Sequence, residues 1–335
     1  AVHNLFVFDN LYSYVYFFAI LAFIDSQTGR PIAKIEEAPE LSPEDGMTYV
    51  LPVAAACAFI LVWTVNIPGM QAAGKLITAL SPSPKGIETN LSVFEDLTKH
   101  PSFAGQEIRE QIVSFASTVI QSSEATNDQK QRAATLAVTE MQKQVASYPQ
   151  DARERLQLSY VYRTIGDTES ALKEVEAASK LSPKKESIWT EMGVAHWDAG
   201  DVKAAASDFN TAYALGPQFT DLAAYAAAGA IATGDTAGAD KILLTAFGTT
   251  TVDNNILAVA YYRTKDWPRL INVWKLRASA PSATVNTWFS LAAAYYAAGD
   301  KANTIKTINE AVARYPEAAA SGKAAIEQVQ NNTVK

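Results

Sequence analysis

The sequence is poor in the residues that bind metals and nucleic acids. It has one cysteine and three histidines among 335 residues, and His3, His100 and His196 have no second His, Cys or carboxylate at metal-ligand spacing. The single cysteine, Cys57, excludes a disulfide within the chain. Positive charge is also short, because 28 Lys and Arg stand against 35 Asp and Glu, a net charge of −7 with no basic cluster. Since nucleic-acid binding needs a basic surface, we expect no metal, no cofactor and no nucleic-acid partner.

The sequence also lacks the common signatures of catalysis. It contains no phosphate loop, no Gly-x-Ser-x-Gly elbow and no zincin motif, and the stretch "GAIATGD" has Asp where a phosphate loop needs Lys. His196 falls at a packing position of a repeat described below, which favours a structural role. We predict that the chain is not an enzyme.

Charge is absent from two apolar segments near the N-terminus. Residues 11–24 are shorter than the roughly 17 to 25 residues of a membrane-spanning helix, whereas the uncharged residues 49–65 are long enough. Trp63 stands near the end of the second segment, where an interfacial anchor is expected. Residues 25–47 carry six acidic side chains and three prolines, and predict a polar loop. No basic stretch precedes the first segment, so a typical signal peptide is not indicated.

From about residue 150 the sequence repeats itself. A turn with an aspartate recurs at spacings of 34, 34, 31 and 34 residues, at Asp167, Asp201, Asp235, Asp266 and Asp300. Glycine precedes four of these aspartates, and Lys265 precedes the remaining one. A period near 34 residues predicts pairs of helices stacked side by side.

The second repeat, "ESIWTEMGVAHWDAGDVKAAASDFNTAYALGP", carries the fullest pattern. Its small and large apolar positions recur at helical spacing, at Trp189, Met192, Gly193, His196, Ala205, Phe209, Ala212 and Pro217. This pattern resembles the tetratricopeptide repeat. The resemblance implies an all-α fold, a right-handed tetratricopeptide-repeat superhelix with hydrophobic N-terminal helices, in which Trp189, Phe209, Tyr162 and Trp288 are buried between helices.

The predicted layout has five parts. They are hydrophobic N-terminal helices at 1–80 that include the acidic loop 25–47, a linker at 81–103, a degenerate helix pair at 104–149, five repeats at 150–316, and a C-terminal cap helix and tail at 317–335. The "SPSPKG" stretch, rich in Pro, Ser and Gly, is the basis for the linker.

The N-terminal part resembles a second family. "VHNLFVFDNLYSYVYFFAILAFI", an acidic loop, an uncharged span and then "IETNLSVFEDLTKHPSFAGQEIREQI" before the repeats are similar to the C-terminal end of bacterial O-antigen ligase or polymerase-type membrane proteins with a repeat tail. Those are polytopic glycosyl-transfer proteins. His3 and Asn4 resemble the family's His-Asn motif, but most of such a protein would lie N-terminal to Ala1.

Alignment of the repeats on their turns places one set of residues on the inner face of the superhelix. These are Tyr160, Arg163, Val194, Trp197, Ile231, Val259, Tyr262 and Tyr296. The set is aromatic rather than cationic, so it suits an apolar or aromatic segment, or a sugar stacked on rings. Packing of the same aromatics against the next repeat is the alternative.

The N-terminal segment is also a candidate self-assembly element. Its apolar side chains are Leu5, Phe6, Phe8, Leu11, Tyr12, Tyr14, Tyr16, Phe17, Phe18, Leu21 and Phe23. When buried, Asp9 and the tyrosine hydroxyls require hydrogen-bonding partners, which a protein interface supplies more readily than lipid does. Asn90 and Asn331 begin sequons, which matter only if a glycosylation system meets the chain.

Three functions remain open on the sequence, and we predict the first, with the other two as alternatives. The first is a processed extracellular or cell-surface filament protein that assembles with itself head to tail, an expectation that takes Ala1 as a true start. The second is a membrane-anchored interaction domain of a glycan-assembly protein, in the bacterial inner membrane with its repeats on the extracytoplasmic side. The third is a fragment of a glycosyl-transfer enzyme that is active only with its missing N-terminal part.

Overall fold

The computed structural model describes residues 11–29, 42–83, 85–100 and 102–331. All regular elements in these ranges are helices, and they contain no strand, which confirms the predicted all-α class. The chain divides into two compact units, Ala1–Pro68 and Gly69–Lys335.

The first unit contains apolar helices. Helix α1 is Leu11–Thr28, and α2 is Leu51–Leu61. Helix α2 is flanked by a short turn, Pro43–Asp45, and by two wider π-helical stretches, Gly46–Val50 and Val62–Asn66. The chain is therefore helical without a break from Pro43 to Leu80. Because α1 runs to Thr28 and helix resumes at Pro43, the polar loop predicted at 25–47 is shorter at both ends.

The second unit begins within α3, Ile67–Leu80. Its Ala72, Leu76 and Ala79 recur at helical spacing and pack in one core with α4, Ile87–Leu97. Leu91 and Phe94 of α4 are fully buried in that core. The linker predicted at 81–103 was therefore wrong over α4, because an amphipathic helix follows the Pro- and Ser-rich turn directly.

The rest of the second unit is an array of antiparallel helices in which each packs on the next, except that Asn255–Arg263 packs on Thr220–Ala232 rather than on Thr236–Phe247. The first pair is α5, Gly105–Gln121, and α6, Asn127–Ser147. The repeat helices are α7 (Ala152–Thr164), α8 (Thr168–Leu181), α9 (Glu186–Asp198), α10 (Val202–Leu215), α11 (Thr220–Ala232), α12 (Thr236–Phe247), α13 (Asn255–Arg263), α14 (Trp267–Ser279), α15 (Val285–Ala297) and α16 (Lys301–Arg314). Helix α17, Ala319–Gln330, follows at the C-terminal end.

The repeated Gly-Asp turn explains why the helices pair. Gly200 has a φ of 82°, a left-handed conformation that ends α9 without steric cost, and Asp201 then accepts a hydrogen bond from the Ala204 amide and caps α10. The same geometry recurs at the turns of the other repeats. Among the described turns, that of the fourth repeat differs, because a residue with a side chain, Lys265, holds the left-handed position, with a φ of 60°.

Four aromatic residues were predicted to be buried between helices, and one is. Phe209 is 1% exposed, against the backbone of Gly193. Trp189, Tyr162 and Trp288 are only partly buried, so the prediction was wrong for them. Polar ends explain two of these cases. The Trp189 indole donates to the Pro183 carbonyl at the rim of its repeat, and the Tyr162 hydroxyl accepts from the exposed Gln142.

Candidate interaction groove of the repeats

The first helices of successive repeats line a cavity of about 510 Å³. Its lining residues are Arg163, Glu186, Ser187, Thr190, Glu191, Val194, Phe219, Asp221, Leu222, Tyr225 and Ile256. They come from α7, α9, the start of α11 and α13. We call this set the groove cavity.

Helix α9 forms the floor of the groove cavity. Ser187, Thr190, Glu191 and Val194 recur at helical spacing on the face opposite to the one that packs on α10. Because first helices stack beside one another in such an array, the corresponding faces of α7 and α11 become the walls. The site is therefore a consequence of the repeat itself.

An ion-pair network closes one end of the groove cavity. The Arg163 Nε lies 2.9 Å from Glu191 Oε1, and its Nη1 lies 3.5 Å from Asp198 Oδ2. Arg263 approaches the other Asp198 oxygen at 3.9 Å. The two guanidinium groups also lie over aromatic rings, Arg163 over Tyr160 at 5.3 Å and Arg263 over Trp197 at 5.5 Å. These contacts hold both arginines in place.

Burial shapes the titration of this pair. Burial raises the pKa of Glu191, and the Arg163 hydrogen bond opposes that shift. Burial acts to lower the pKa of Arg163, but the hydrogen bond to Glu191 and the nearby carboxylates raise it overall. Arg163 is therefore fully engaged, and a ligand carboxylate would have to displace Glu191 to reach it.

The other wall of the groove cavity is apolar. Tyr225 packs on Phe209, with ring centroids 5.1 Å apart, and Leu222, Phe219 and Val194 complete the surface. Burial raises the pKa of Tyr225, so its hydroxyl remains a neutral hydrogen-bonding group. Glu186 and Asp221 stand at the edge. Glu186 pairs with Lys185, outside the cavity, at 2.9 Å, whereas Asp221 has no ion-pair partner among the described residues. The groove cavity thus offers an apolar surface with carboxylates at its rim.

Only two of the eight predicted groove residues line the groove cavity. Arg163 and Val194 line the groove cavity. Trp197 and Ile231 are 8% and 3% exposed and belong to the core instead. Both side chains pack against the next repeat, which is the alternative that the sequence left open for the groove residues.

The remaining groove residues lie outside this cavity. Val259 and Tyr262 are exposed, and the Tyr262 ring meets Trp267 edge-on. Tyr160 is partly buried and hydrogen-bonds with Ser117 at 2.9 Å, while Tyr296 is partly buried. Glu191 and Tyr225 also line the groove cavity but were not predicted. Each lies three residues before an aligned inner-face position, Val194 and Ala228, so helical spacing places it on the same face.

His196 has a structural partner. Its Nδ1 lies 2.6 Å from Asp208 Oδ2, which ties the two helices of the second repeat together. Burial raises the pKa of Asp208, and His196 opposes that shift. No cluster of metal-binding side chains occurs among the described residues.

The predicted self-assembly segment is only partly described. Leu5, Phe6 and Phe8 lie outside the described residues, as do the side chains of Leu11, Tyr12 and Tyr14. The described side chains of α1 are exposed, at 70% for Tyr16, 40% for Phe17, 61% for Phe18, 44% for Leu21 and 66% for Phe23.

The two sequon asparagines differ in their surroundings. The Asn90 side-chain amide donates to the carbonyls of Ala79 and Ser81, at 2.6 and 2.8 Å, and so links α4 to the end of α3. That amide nitrogen is the atom a glycan would need, so Asn90 is a poor acceptor. Asn331 ends α17 and is exposed.

One helix within the described ranges is long and apolar enough to cross a membrane, judged by length and composition alone. It runs from Pro43 to Leu80, with a mean hydropathy of 2.2 in its most apolar window, none of which is buried. The two ends of the run differ. The side chains of α2 are exposed on all sides, whereas α3 buries one face in the core of the second unit.

Stacked helix pairs with this turn and this packing pattern define a tetratricopeptide-repeat superhelix. Residues 156–218 match the family model of the tetratricopeptide repeat. A tetratricopeptide repeat protein from Parabacteroides merdae ATCC 43184, 11% identical, superimposes over 78% of this chain and 99% of that chain with a TM-score of 0.51.

Two further solved structures are similar at lower scores. A thermophilic tetratricopeptide-repeat protein of Thermus thermophilus is 12% identical, covering 66% of this chain and 98% of its own, with a TM-score of 0.36. YrrB, described as having an unusual peptide-binding site, is 12% identical, covering 56% of this chain and 97% of its own, with a TM-score of 0.36. A search of curated protein sequences gives no significant match. The fold is a tetratricopeptide-repeat fold, as predicted.

Proposed function

We propose that this chain is a membrane-attached interaction protein, in which the helix from Pro43 to Leu80 enters the bilayer and the repeat array binds a protein partner. The observation that supports attachment is the uncharged run with apolar side chains on every face. Phe59, Ile60, Leu61 and Val62 are all more than half exposed, and they point in different directions around the helix. A helix that is apolar all round needs an apolar surrounding, and lipid supplies one on every side.

The ends of this helix also fit a bilayer. Glu44 and Asp45 precede the uncharged run, and Lys75 is the first charged residue after it. Tyr49 and Trp63 are exposed aromatics within the run, a composition that suits the two interfaces. Beyond Gly69, buried Ala72 and Leu76 belong to the repeat unit, so the apolar surrounding is needed only before that point.

The groove cavity is the proposed partner site. Its apolar wall of Val194, Leu222 and Tyr225 would take an aliphatic or aromatic side chain of an extended segment. The unpaired carboxylate of Asp221 at the rim favours a segment that carries lysine or arginine beside that residue, whereas Glu186 is already paired with Lys185. This chemistry supports a protein partner rather than a catalytic reaction.

Charge placed in the uncharged run tests the attachment. We expect the full chain to stay with membranes through an alkaline carbonate wash, and the double variant Ala56→Arg/Phe59→Arg to be released. Each arginine near the middle of a span costs about 2.5 to 3.5 kcal/mol of insertion free energy. The matched control, Val202→Arg/Leu215→Arg, places the same charges on exposed apolar side chains at the two ends of α10. This variant should stay membrane-bound. Retention of the Ala56→Arg/Phe59→Arg chain in washed membranes would count against attachment through this helix.

A self-assembling filament is the second candidate function, and exposed aromatics of α1 favour it. Tyr16, Phe18 and Phe23 are each more than 60% exposed, and another copy of the chain could cover them. A solenoid has two unlike ends, so head-to-tail contacts that do not close would generate a fibre. Fibres of the full chain in the absence of lipid or detergent, lost in Phe18→Asp/Phe23→Asp, would favour this candidate. For the membrane form, the corresponding finer proposal is that the chain is the interaction domain of a glycan-assembly protein of the O-antigen ligase or polymerase type.

A further inference from the structure

A second cavity lies between the fourth repeat and the last, away from the groove cavity. It has a volume of about 340 Å³ and lies among α14, α15 and α16. Its lining residues are Lys275, Ala278, Ser279, Trp288, Leu291, Tyr295, Asn303, Lys306, Thr307, Glu310 and Arg314. We call it the terminal cavity.

The terminal cavity is cationic in a chain of net negative charge. Lys275, Lys306 and Arg314 face one carboxylate, Glu310, among the lining residues. Lys306 approaches Glu310 only at 3.9 Å. Among the described residues, Lys275 and Arg314 have no carboxylate within ion-pair distance.

Aromatic rings hold two of these cations beside the cavity. The Lys275 ammonium lies 5.7 Å from the centre of the Tyr295 ring, and the Arg314 guanidinium lies 5.5 Å from the centre of the Trp288 ring. A cation over a ring face is positioned without neutralisation of its charge. Both groups are therefore available to an anion.

The Trp288 indole supplies the second observation. Its Nε1 is buried and has no hydrogen-bond acceptor among the described residues. Buried donors in folded proteins are nearly always paired. Trp189 occupies the same position in the second repeat, and there the indole donates to the carbonyl of Pro183, at 2.8 Å. The shared position thus has a satisfied indole in one repeat and an orphan in the other.

Two of the three cations are particular to this site. When the repeats are aligned on the turn aspartates, Arg314 corresponds to Leu181 and Leu215 of the first two repeats, and Lys275 corresponds to Glu176 and Asn210. Lys306 is a recurring residue, because the first and third repeats have Lys173 and Lys241 at its position. General features of the helix array therefore do not explain Lys275 and Arg314 beside an unpaired indole.

We propose that the terminal cavity binds a small organic carboxylate. One carboxylate oxygen accepts from the Trp288 indole, Arg314 and Lys275 neutralise the charge, and the apolar body of the ligand lies against Leu291 and Tyr295. A carboxylate fits better than inorganic phosphate because part of the lining is apolar and aromatic, and phosphate would leave that surface uncovered. The inference is independent of the membrane attachment and of the groove cavity.

Benzoate is the probe, and the indole resonance of Trp288 is the readout. The full chain in detergent, labelled with ¹⁵N, gives indole N–H signals from six tryptophans, and Trp288→Phe assigns the relevant one. We expect benzoate to shift the Trp288 indole signal saturably, and benzamide, its neutral isostere, to shift it far less. Arg314→Gln and Lys275→Gln should each weaken benzoate binding about tenfold, the loss typical of a hydrogen bond to a charged group. Lys323→Gln, an exposed cation on α17 outside the cavity, should leave the affinity unchanged.

Three outcomes would overturn the proposal. They are an indole signal that does not move at saturating benzoate, equal shifts with benzamide, and unchanged affinity in both Arg314→Gln and Lys275→Gln. The comparison of benzoate with benzamide uses the unaltered chain, so it does not depend on how the variants fold. Inorganic phosphate completes the series, and a shift as large as that of benzoate would reject the requirement for an apolar body.

Discussion

Phe209 fills the space between the two helices of the second repeat and the start of the third. Its ring contacts the backbone of Gly193 and Gly229 and packs on Tyr225 and Trp197. Phe209→Ala should lower the free energy of unfolding by about 3 to 5 kcal/mol, because it removes the apolar contacts and leaves a cavity that rigid helices cannot close. Urea unfolding followed by circular dichroism measures this loss. Phe219→Ala is the control, since that side chain is half exposed and its removal should cost only about 1 kcal/mol.

Glu154 of α7 is a buried carboxylate that is only half satisfied. Its Oε1 accepts from Gln106 and Gln144, at 2.9 and 3.3 Å, whereas Oε2 is buried without a partner among the described residues. Burial raises the pKa of Glu154, with Gln144 opposing the shift, and Glu110, Asp151 and Arg153 add smaller charge effects. The folded state therefore binds the proton more tightly than the unfolded chain does.

This raised pKa fixes the sign of a pH effect. Between the unfolded value near 4.5 and the higher folded value, the stability contributed by protonated Glu154 falls as pH rises. Glu154→Gln should remove that part of the pH dependence, so the urea midpoint should fall less from pH 4.5 to pH 7 than in the unaltered chain. The control is Glu176→Gln on the exposed face of α8, which should follow the unaltered chain. Parallel curves for Glu154→Gln and the unaltered chain would show that the carboxyl does not titrate as argued.

Sequence reasoning succeeds at positions such as Phe209 and fails at positions such as Glu154. The repeat pattern identifies Phe209 because its partners lie at fixed spacings within one repeat. Glu154 sits at a nominally polar position, and its burial depends on Gln106, which is 48 residues away in a helix pair without the consensus. The groove shows the same limit, since Trp197 and Ile231 are taken up by packing between repeats that a single repeat does not encode.

At the scale of elements, the turn of the fourth repeat is strained. Lys265 holds a φ of 60°, where the other four repeat turns have glycine. A residue with a Cβ in this conformation costs roughly 1 to 2 kcal/mol. Lys265→Gly should therefore raise the free energy of unfolding by up to about 1 kcal/mol, after the extra entropy of glycine in the unfolded chain. Gly200→Lys makes the opposite change in the second repeat and should destabilise by a similar amount. Equal unfolding midpoints for the two variants would contradict the account of the turn.

Close helix approach depends on glycine at one position and not at another. A Cβ on Gly229 of α11 would lie 2.8 Å from the Ala206 Cα of α10, so the helices would have to move apart. Gly229→Ala should destabilise by about 1 to 3 kcal/mol through overpacking. Gly74→Ala is the matched change in α3, where a Cβ would meet nothing within 4 Å. It should stabilise the second unit by about 0.5 to 1 kcal/mol, because alanine favours the helix. Thermal unfolding of the two variants distinguishes the signs.

The element boundaries also show where composition misleads. Pro, Ser and Gly at 81–86 predicted a linker that would continue to 103, yet Leu91, Phe94 and Leu97 fall at i, i+3 and i+6 and form the buried face of α4. The periodicity was present in the sequence, but it was short, and no second copy of it elsewhere in the chain supported it. The repeats were easier to predict because the same pattern occurs several times.

At the scale of the whole molecule, the chain combines a repeat array that buries its apolar residues with helices that do not. The array needs no further covering, because each repeat packs on the next and α17 follows the last repeat. The apolar run before Gly69 has no such neighbour among the described helices of the first unit, since its side chains remain exposed. The two candidate functions therefore differ in what covers this run. In the membrane-attached form lipid covers it, and in the filament a second copy of the chain does.

The single cysteine gives a direct measure of that cover. Cys57 lies in α2, within the uncharged run, and is exposed in the isolated chain. In lipid vesicles we expect Cys57 to resist a water-soluble maleimide and to react fully once the vesicles are dissolved in denaturing detergent, because the reactive thiolate does not form in hydrocarbon. The control chain, Cys57→Ser/Val202→Cys, carries its thiol on the exposed start of α10. This thiol should react at once in either condition. The vesicles are made permeable to the reagent, so that the repeats are reached on either side of the bilayer. Equal labelling rates for the two thiols in vesicles would place α2 in water. Protection of Cys57 in lipid-free fibres would instead assign the covering to protein, because a thiol shielded without a bilayer can be shielded only by another part of the assembly.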